Sequence, residues 1–266
     1  MSNLNELLDH LWQDYIALNP QAKEIYDLLV AKGENLVNDH IAFRTYNHPK
    51  INIKSLSRAF IKGGYEAKGN YDFELKKLNA THFEHKAPNM PRVFISELRL
   101  EEMSFRAQNI IADAINQIDD SALHNYELSN AGRLWDASYE NYEKLLEESE
   151  YAAWFYAFGF RANHFTIFIN ALNDFDDIHQ FNDFIKDSGY ALNDSGGEVK
   201  GSAEQYLEQS STLANEVKVS FSDGYYEIPF CYYEFAKRYQ MPNGELFNGF
   251  IAKSADKIFE STNVNR

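Results

Sequence analysis

The chain has 266 residues, 44% hydrophobic and 15% aromatic, with 40 acids against 25 bases and a net charge of −15. That length supports a sizeable core, and the single cysteine, Cys231, excludes an intrachain disulfide and suits a reducing compartment. Excess acid argues against nucleic acid and anionic membrane as partners, since both need clustered Lys and Arg; an anionic ligand would have to be held by a local base.

The opening stretch Met1-Ser2-Asn3-Leu4 lacks the basic start of a secretory signal. The longest nearly apolar run, YAAWFYAFGF at 151–160, falls short of the ~20 residues of a membrane span. A cytoplasmic protein is expected. Apolar residues at positions 4, 7, 8, 11, 15 and 16 predict a helix in LNELLDHLWQDYIAL, broken by Asn19-Pro20, and a second follows in QAKEIYDLLVAKG with Gly33 closing it. NDHIAFRTYN (38–47) reads as a strand, 53–62 as a helix ended by Gly63-Gly64, and 65–77, 80–86 and 92–100 as strands. SFRAQNIIADAINQI and NYEKLLEESEYAAWFYAFG are predicted helices, with the run Glu147-Glu148-Ser149-Glu150 as a solvated helix face and Trp154-Phe155-Tyr156 as core. ANHFTIFINA then reads as a strand, 177–186 as a helix, and 192–200, 215–221 and 225–235 as strands, before a polar tail expected to be mobile.

Two of these segments resemble each other. Asp39-His40 and Asn163-His164 each open an apolar strand. Phe60-Ile61-Lys62 begins twenty residues after His40, and Phe184-Ile185-Lys186 begins twenty after His164; each copy then reaches a Gly-Tyr, at Gly64-Tyr65 and Gly189-Tyr190. The expected fold class is α+β, with duplicated β-α-β-β-β modules pairing into a curved mixed sheet around a cleft. One domain is expected over 1–266, with N-terminal helices at 1–36, a first module at about 37–102, a helical insert at about 103–158 and a second module at about 159–250.

Equivalent positions of paired modules face each other, so His40 and His164 can meet, and neutral imidazole is the commonest transition-metal ligand. The last strand of each module offers a carboxylate among apolar neighbours, Glu97 in FISELRL and Glu234 in CYYEFAKR. Two histidines and one carboxylate suit a non-haem Fe(II) centre; both carboxylates would suit a Lewis-acid metal, but an ion pair of Glu97 with Arg99 or another buried base is favoured over its ligation. Arg44 lies four residues after His40 on the same strand face, a natural fork for a substrate carboxylate. His82 and His85, on opposite faces of their strand, read as surface residues. His10, His48, His124 and His179 have no matching partner, and Cys231 reads as packing.

NDHIAFRTY, AAWFYAFGFRANHFTIFIN and CYYEFAKR, in that order, resemble the 2-oxoadipate dioxygenase/decarboxylases, also called hydroxyglutarate synthases, over nearly the whole chain. This family is similar in fold to the vicinal oxygen chelate superfamily. The resemblance implies His40, His164 and Glu234 as metal ligands, Arg44 as the holder of a substrate carboxylate, and Glu97 as a candidate fourth ligand. It implies Fe(II) as cofactor (Zn or Ni can occupy such a site in a purified sample) and a small 2-oxo acid and dioxygen as partners. The reaction implied is oxidative decarboxylation, of 2-oxoadipate to 2-hydroxyglutarate and CO2, in lysine breakdown. The chain is of the family's short form and lacks the extra segments of longer members. A glyoxalase-like lyase, isomerase or hydrolase with a redox-inert metal is the alternative reading, and a non-catalytic small-molecule binder the third.

Overall fold

A computed structural model describes residues 3–251; the polar tail predicted to be mobile lies outside the described residues. Two helices lead, α1 (Leu4–Leu18) and α2 (Pro20–Ala31). Asn3 and Glu6 form a reciprocal capping box that starts α1, and Pro20 at the first position of α2 uses a site where no backbone donor is needed. The first module follows as β1 (Asn38–Tyr46), α3 (Ile53–Lys62), β2 (Tyr65–Phe73), β3 (Leu78–His85) and β4 (Arg92–Leu98). Helices α4 (Phe105–Asn116), α5 (Asp120–Leu123), α6 (Tyr139–Leu146) and α7 (Glu150–Phe158) come between the modules. The second module is β5 (Ala162–Phe168), α8 (Ile178–Asp187), β6 (Lys200–Ser202) and β7 (Leu207–Ser211), then the hairpin β8 (Glu216–Phe221) and β9 (Gly224–Pro229), then β10 (Glu234–Arg238).

One eight-stranded sheet has the order β2-β3-β4-β1-β5-β10-β7-β6. Read outward from the β1–β5 seam, the halves match: β1 pairs β4 parallel and β5 pairs β10 parallel, while β1 and β5 run antiparallel. The duplication expected from the two histidine segments is therefore present in the topology. The hairpin β8–β9 forms its own two-stranded sheet, so the strand predicted at 215–221 lies outside the main sheet.

Alternation along the strands divides the faces. On the convex face Phe43 packs on Phe60 of α3 at 5.4 Å, Phe165 on Trp12 and Tyr15 of α1 at 5.0 Å each, and Phe235 on Phe181 of α8 at 4.8 Å. Each buried aromatic of this kind stabilises by roughly 1.5–3 kcal/mol. The concave face carries His40, Arg44, His164 and Glu234 and is covered at the Arg44 end by α7. Every residue of α7 after Glu150 is buried, as expected of a helix apolar all round. Tyr46 donates to the Ala152 carbonyl at 2.7 Å and the Tyr151 hydroxyl accepts from the Thr45 amide at 3.1 Å, tying that helix to β1.

Several local expectations need correction. The stretch predicted as one helix is two, because Ser149 caps α7 by accepting from the Ala152 amide. The acidic run between them is not simply a solvated face: Glu148 takes both the amide and hydroxyl of Ser104, and Glu150 pairs with buried Arg44. The strand predicted at 192–200 is reduced to an isolated bridge at Leu192 and the start of β6. That predicted at 225–235 is two strands separated at 230–233, and β7 was not anticipated.

Candidate metal centre

Gly159 allows the turn from α7 into β5. It has φ +68°, and a Cβ there would stand 2.4 Å from the Gly132 carbonyl oxygen, so only glycine lets α7 hand over to the strand carrying His164. Across the seam His164 pairs with Ala42, and His40 with Thr166, which in turn pairs with Glu234 on β10. Three neighbouring strands thus deliver His40, His164 and Glu234 to one point.

The Nε2 atoms of His40 and His164 are 3.4 Å apart. Glu234 lies 3.3 Å from each, through Oε1 to His40 and Oε2 to His164. All three side chains are buried, and each offers one ligand atom within 4.8 Å of the others. Each also has a partner behind it. His40 Nδ1 is 2.9 Å from Asp39 and His164 Nδ1 is 3.0 Å from Asn163, a repeat of the same device in both modules. The register between β1 and β5 shifts between Asn38 and His40, which frees Asp39 from simple alternation. Gln209 donates to Glu234 Oε1 at 2.6 Å.

Asp39 is the more elaborate support. Arg238 grips it in bidentate fashion at 2.6 and 2.8 Å, and Arg92 adds a contact at 3.3 Å. Burial opposes the Asp39 charge, but Arg238, His40 and Arg92 outweigh it and hold the carboxyl well below the usual range. Arg238 also donates to the carbonyls of Phe247 and Gly249 at 3.0 and 2.8 Å. That anchors Phe250, whose ring meets His40 edge-on at 4.9 Å. Tyr232 stacks on His164 at 4.7 Å and 27°. Two aromatic rings thus wall the two imidazoles.

Burial, then the neighbouring His40 and Arg44, push the His164 pKa well below its ordinary value, so its imidazole is neutral. Burial raises that of Glu234. His40 Nδ1 is held by Asp39 while its Nε2 faces the other Nε2 and Glu234. Such a donor set fits a divalent transition metal: nitrogen and oxygen ligands converge, and their far sides are fixed.

Arg44 is buried, 1% exposed, with Nη1 2.9 Å from Glu150 and its guanidinium over the rings of Tyr151 and Trp154 at 4.9 and 5.2 Å. Glu97 does not join the cluster. His40 plus two is Ala42, which pairs Phe94; His164 plus two is Thr166, which pairs Glu234. Phe94, not Glu97, is thus the counterpart of Glu234, and Glu97, three residues on, faces the other side and accepts from the Ile53 amide at 2.9 Å. Nor does it pair with Arg99, which bonds Asp72 and Glu102. His82 is buried rather than on the surface, between Tyr71 at 2.8 Å and Glu84 at 3.0 Å. Cys231 is buried packing, as expected.

Gln209, Tyr232, Arg238 and Phe250 were not singled out by the sequence reading. The chain order of the halves could have flagged Arg238, four residues after Glu234 on the same strand face.

The fold and the cluster define a metal-binding protein of the two-module, curved-sheet class. A family model described as 2-oxoadipate dioxygenase/decarboxylase matches residues 2–246. The chloroplastic/amyloplastic 2-oxoadipate dioxygenase/decarboxylase of Oryza sativa subsp. japonica is 36% identical over 282 residues, 96% of this chain and 78% of that one. The structure of the hydroxyglutarate synthase from Oryza sativa in complex with 2-oxoadipate matches with TM-score 0.92 at 35% identity, over 97% of this chain and 91% of that one. A structure from Shewanella frigidimarina, described provisionally as that of a hydrolase, matches with TM-score 0.91 at 50% identity, over 95% and 99% of the two chains. The chain belongs to the 2-oxoadipate dioxygenase/decarboxylase family, a family of enzymes. Among the described residues no helix is long and apolar enough to cross a membrane.

Proposed function

We propose that this chain is an Fe(II)-dependent dioxygenase that converts 2-oxoadipate and dioxygen to 2-hydroxyglutarate and CO2, in a reducing, cytoplasmic setting. His40, His164 and Glu234 would be the metal ligands, and Arg44 would hold the substrate's far carboxylate. The observation that carries this reading is the convergence of two imidazole nitrogens and one carboxylate at a buried point, in a chain of this family. Three ligands of this kind leave positions open for two co-substrates, the usual arrangement for Fe(II) oxygenases. When bound, the metal supplies the activation of dioxygen and the redox capacity of the reaction.

The chain's own residues do the rest. Asp39 and Asn163 fix the two imidazoles through Nδ1, and Gln209 fixes Glu234. The rings of Tyr232 and Phe250 keep water from the ligands. Arg44 lies two residues beyond Ala42, the cross-strand partner of His164, or ~7 Å along the strand. That spacing suits a six-carbon diacid with one end at the cluster and the other at the guanidinium.

A hydrolase or isomerase with a redox-inert metal would draw support from a fuller ligand shell, and Glu97, hydrogen-bonded to the start of α3, lends none. Product analysis separates the two readings. Fe(II)-loaded protein given 2-oxoadipate should form 2-hydroxyglutarate under air and none under argon. Turnover that continues under argon would overturn the oxygenase reading.

A further inference from the structure

Tyr232 carries an unexplained polar atom. Its side chain is fully buried, and its hydroxyl has no hydrogen-bond partner among the described residues. The neighbouring Tyr233 and Phe235 are packed on the convex side, against Trp12 and Phe181, whereas the Tyr232 ring turns inward and stacks on His164. The ring thus lies against one candidate metal ligand, His164, two residues before another, Glu234, with its buried oxygen unengaged. A phenylalanine would fill the same ring position without burying an unpaired hydroxyl, which costs stability in a ligand-free chain.

We propose that Tyr232 is a substrate-binding residue, whose hydroxyl donates a hydrogen bond to an anionic oxygen of the 2-oxo diacid lying between the cluster and Arg44. The inference rests on the substrate reading above and deepens it. The hydroxyl can donate one hydrogen bond to a ligand oxygen that must be desolvated beside His164. Its missing partner is the ligand itself, and stability is given up in the free protein for a contact made only in the complex.

The test is Tyr232→Phe, which keeps the ring on His164 and removes one oxygen. Anaerobic Fe(II)-loaded protein is titrated calorimetrically with 2-oxoadipate, and thermal unfolding is followed without ligand. The expected result is a Kd roughly tenfold weaker, with Fe(II) affinity unchanged. Ligand-free Tm should be equal to wild type or about 2 °C higher, because an unsatisfied group has been removed. A hydroxyl with a merely structural role would do the reverse, lowering Tm and leaving Kd alone, and that result overturns the proposal. If wild type binds 2-oxoadipate and Tyr232→Phe binds it equally well, this inference falls and the substrate reading stands. If wild type binds no 2-oxo diacid, both fall.

Discussion

His40 and His164, 124 residues apart in sequence, bring their Nε2 atoms to 3.4 Å at the seam between β1 and β5. Two imidazole nitrogens and a buried carboxylate that converge this closely form a site that a cation can fill. Binding a metal to the folded state alone should therefore stabilise the protein. Removing metal with a chelator should lower Tm, and restoring one divalent ion per chain should recover it. His164→Ala should abolish the recovery. Calorimetric unfolding with and without metal is the check; a Tm indifferent to metal would contradict the assignment.

Asp39 acts on the metal through His40. Asp39→Asn keeps the shape but removes the charge that Arg238 and Arg92 neutralise, and it weakens the hold on His40 Nδ1. Metal affinity should fall by about 10–100-fold, the usual range when such a supporting group is lost. Competition against a colorimetric chelator measures it. An unchanged affinity would show that Asp39 serves the fold rather than the metal.

Arg44→Lys replaces a planar fork with a point charge. The KM for 2-oxoadipate should rise about tenfold or more, while that for 2-oxohexanoate, which lacks the far carboxylate, should barely move. Equal effects on both substrates would mean that Arg44 is not at the carboxylate end.

His82 predicts a pH effect with a definite sign. Burial, helped by Arg92 and Arg238 and opposed by Glu84, lowers its pKa below the ordinary 6.5. On acidification the unfolded chain takes up this proton before the folded one does. The stability that His82 contributes is thus complete above about pH 6.5 and is lost as pH falls through its folded-state pKa. Tm measured from pH 8 to pH 5 should decline less steeply in His82→Gln than in wild type. Parallel curves would contradict the shift.

Cys231 is fully buried, and burial pushes its thiol well above the ordinary range. Thiol reagents at pH 8 should leave it unmodified in the native protein and label it completely in denaturant. Mass spectrometry of the intact chain reads the difference.

Much of this architecture was legible in the sequence because the duplication is written locally. The His-strand, Phe-Ile-Lys and Gly-Tyr signals recur at matched spacing, and a repeated unit with one apolar face must pair. What failed was register. Glu97 and Glu234 look equivalent when the strands are compared by their carboxylates, yet hydrogen-bond pairing makes Phe94 the counterpart, and three residues of offset reverse the face. β7, with the sequence LEQSS, lacks apolar alternation because Gln209 faces Glu234 and Ser210 bonds Asn182. His82 was read as exposed because its burial comes from Phe250, which arrives from the far end of the chain. Non-local closure leaves no mark on neighbouring residues.

The most direct measurement is oxygen uptake and CO2 release by anaerobically Fe(II)-reconstituted protein on adding 2-oxoadipate, with His164→Ala alongside. The account predicts one CO2 released per O2 consumed, with both lost in the variant. Tight metal binding that depends on His164, without oxygen uptake, would contradict the dioxygenase assignment for this substrate.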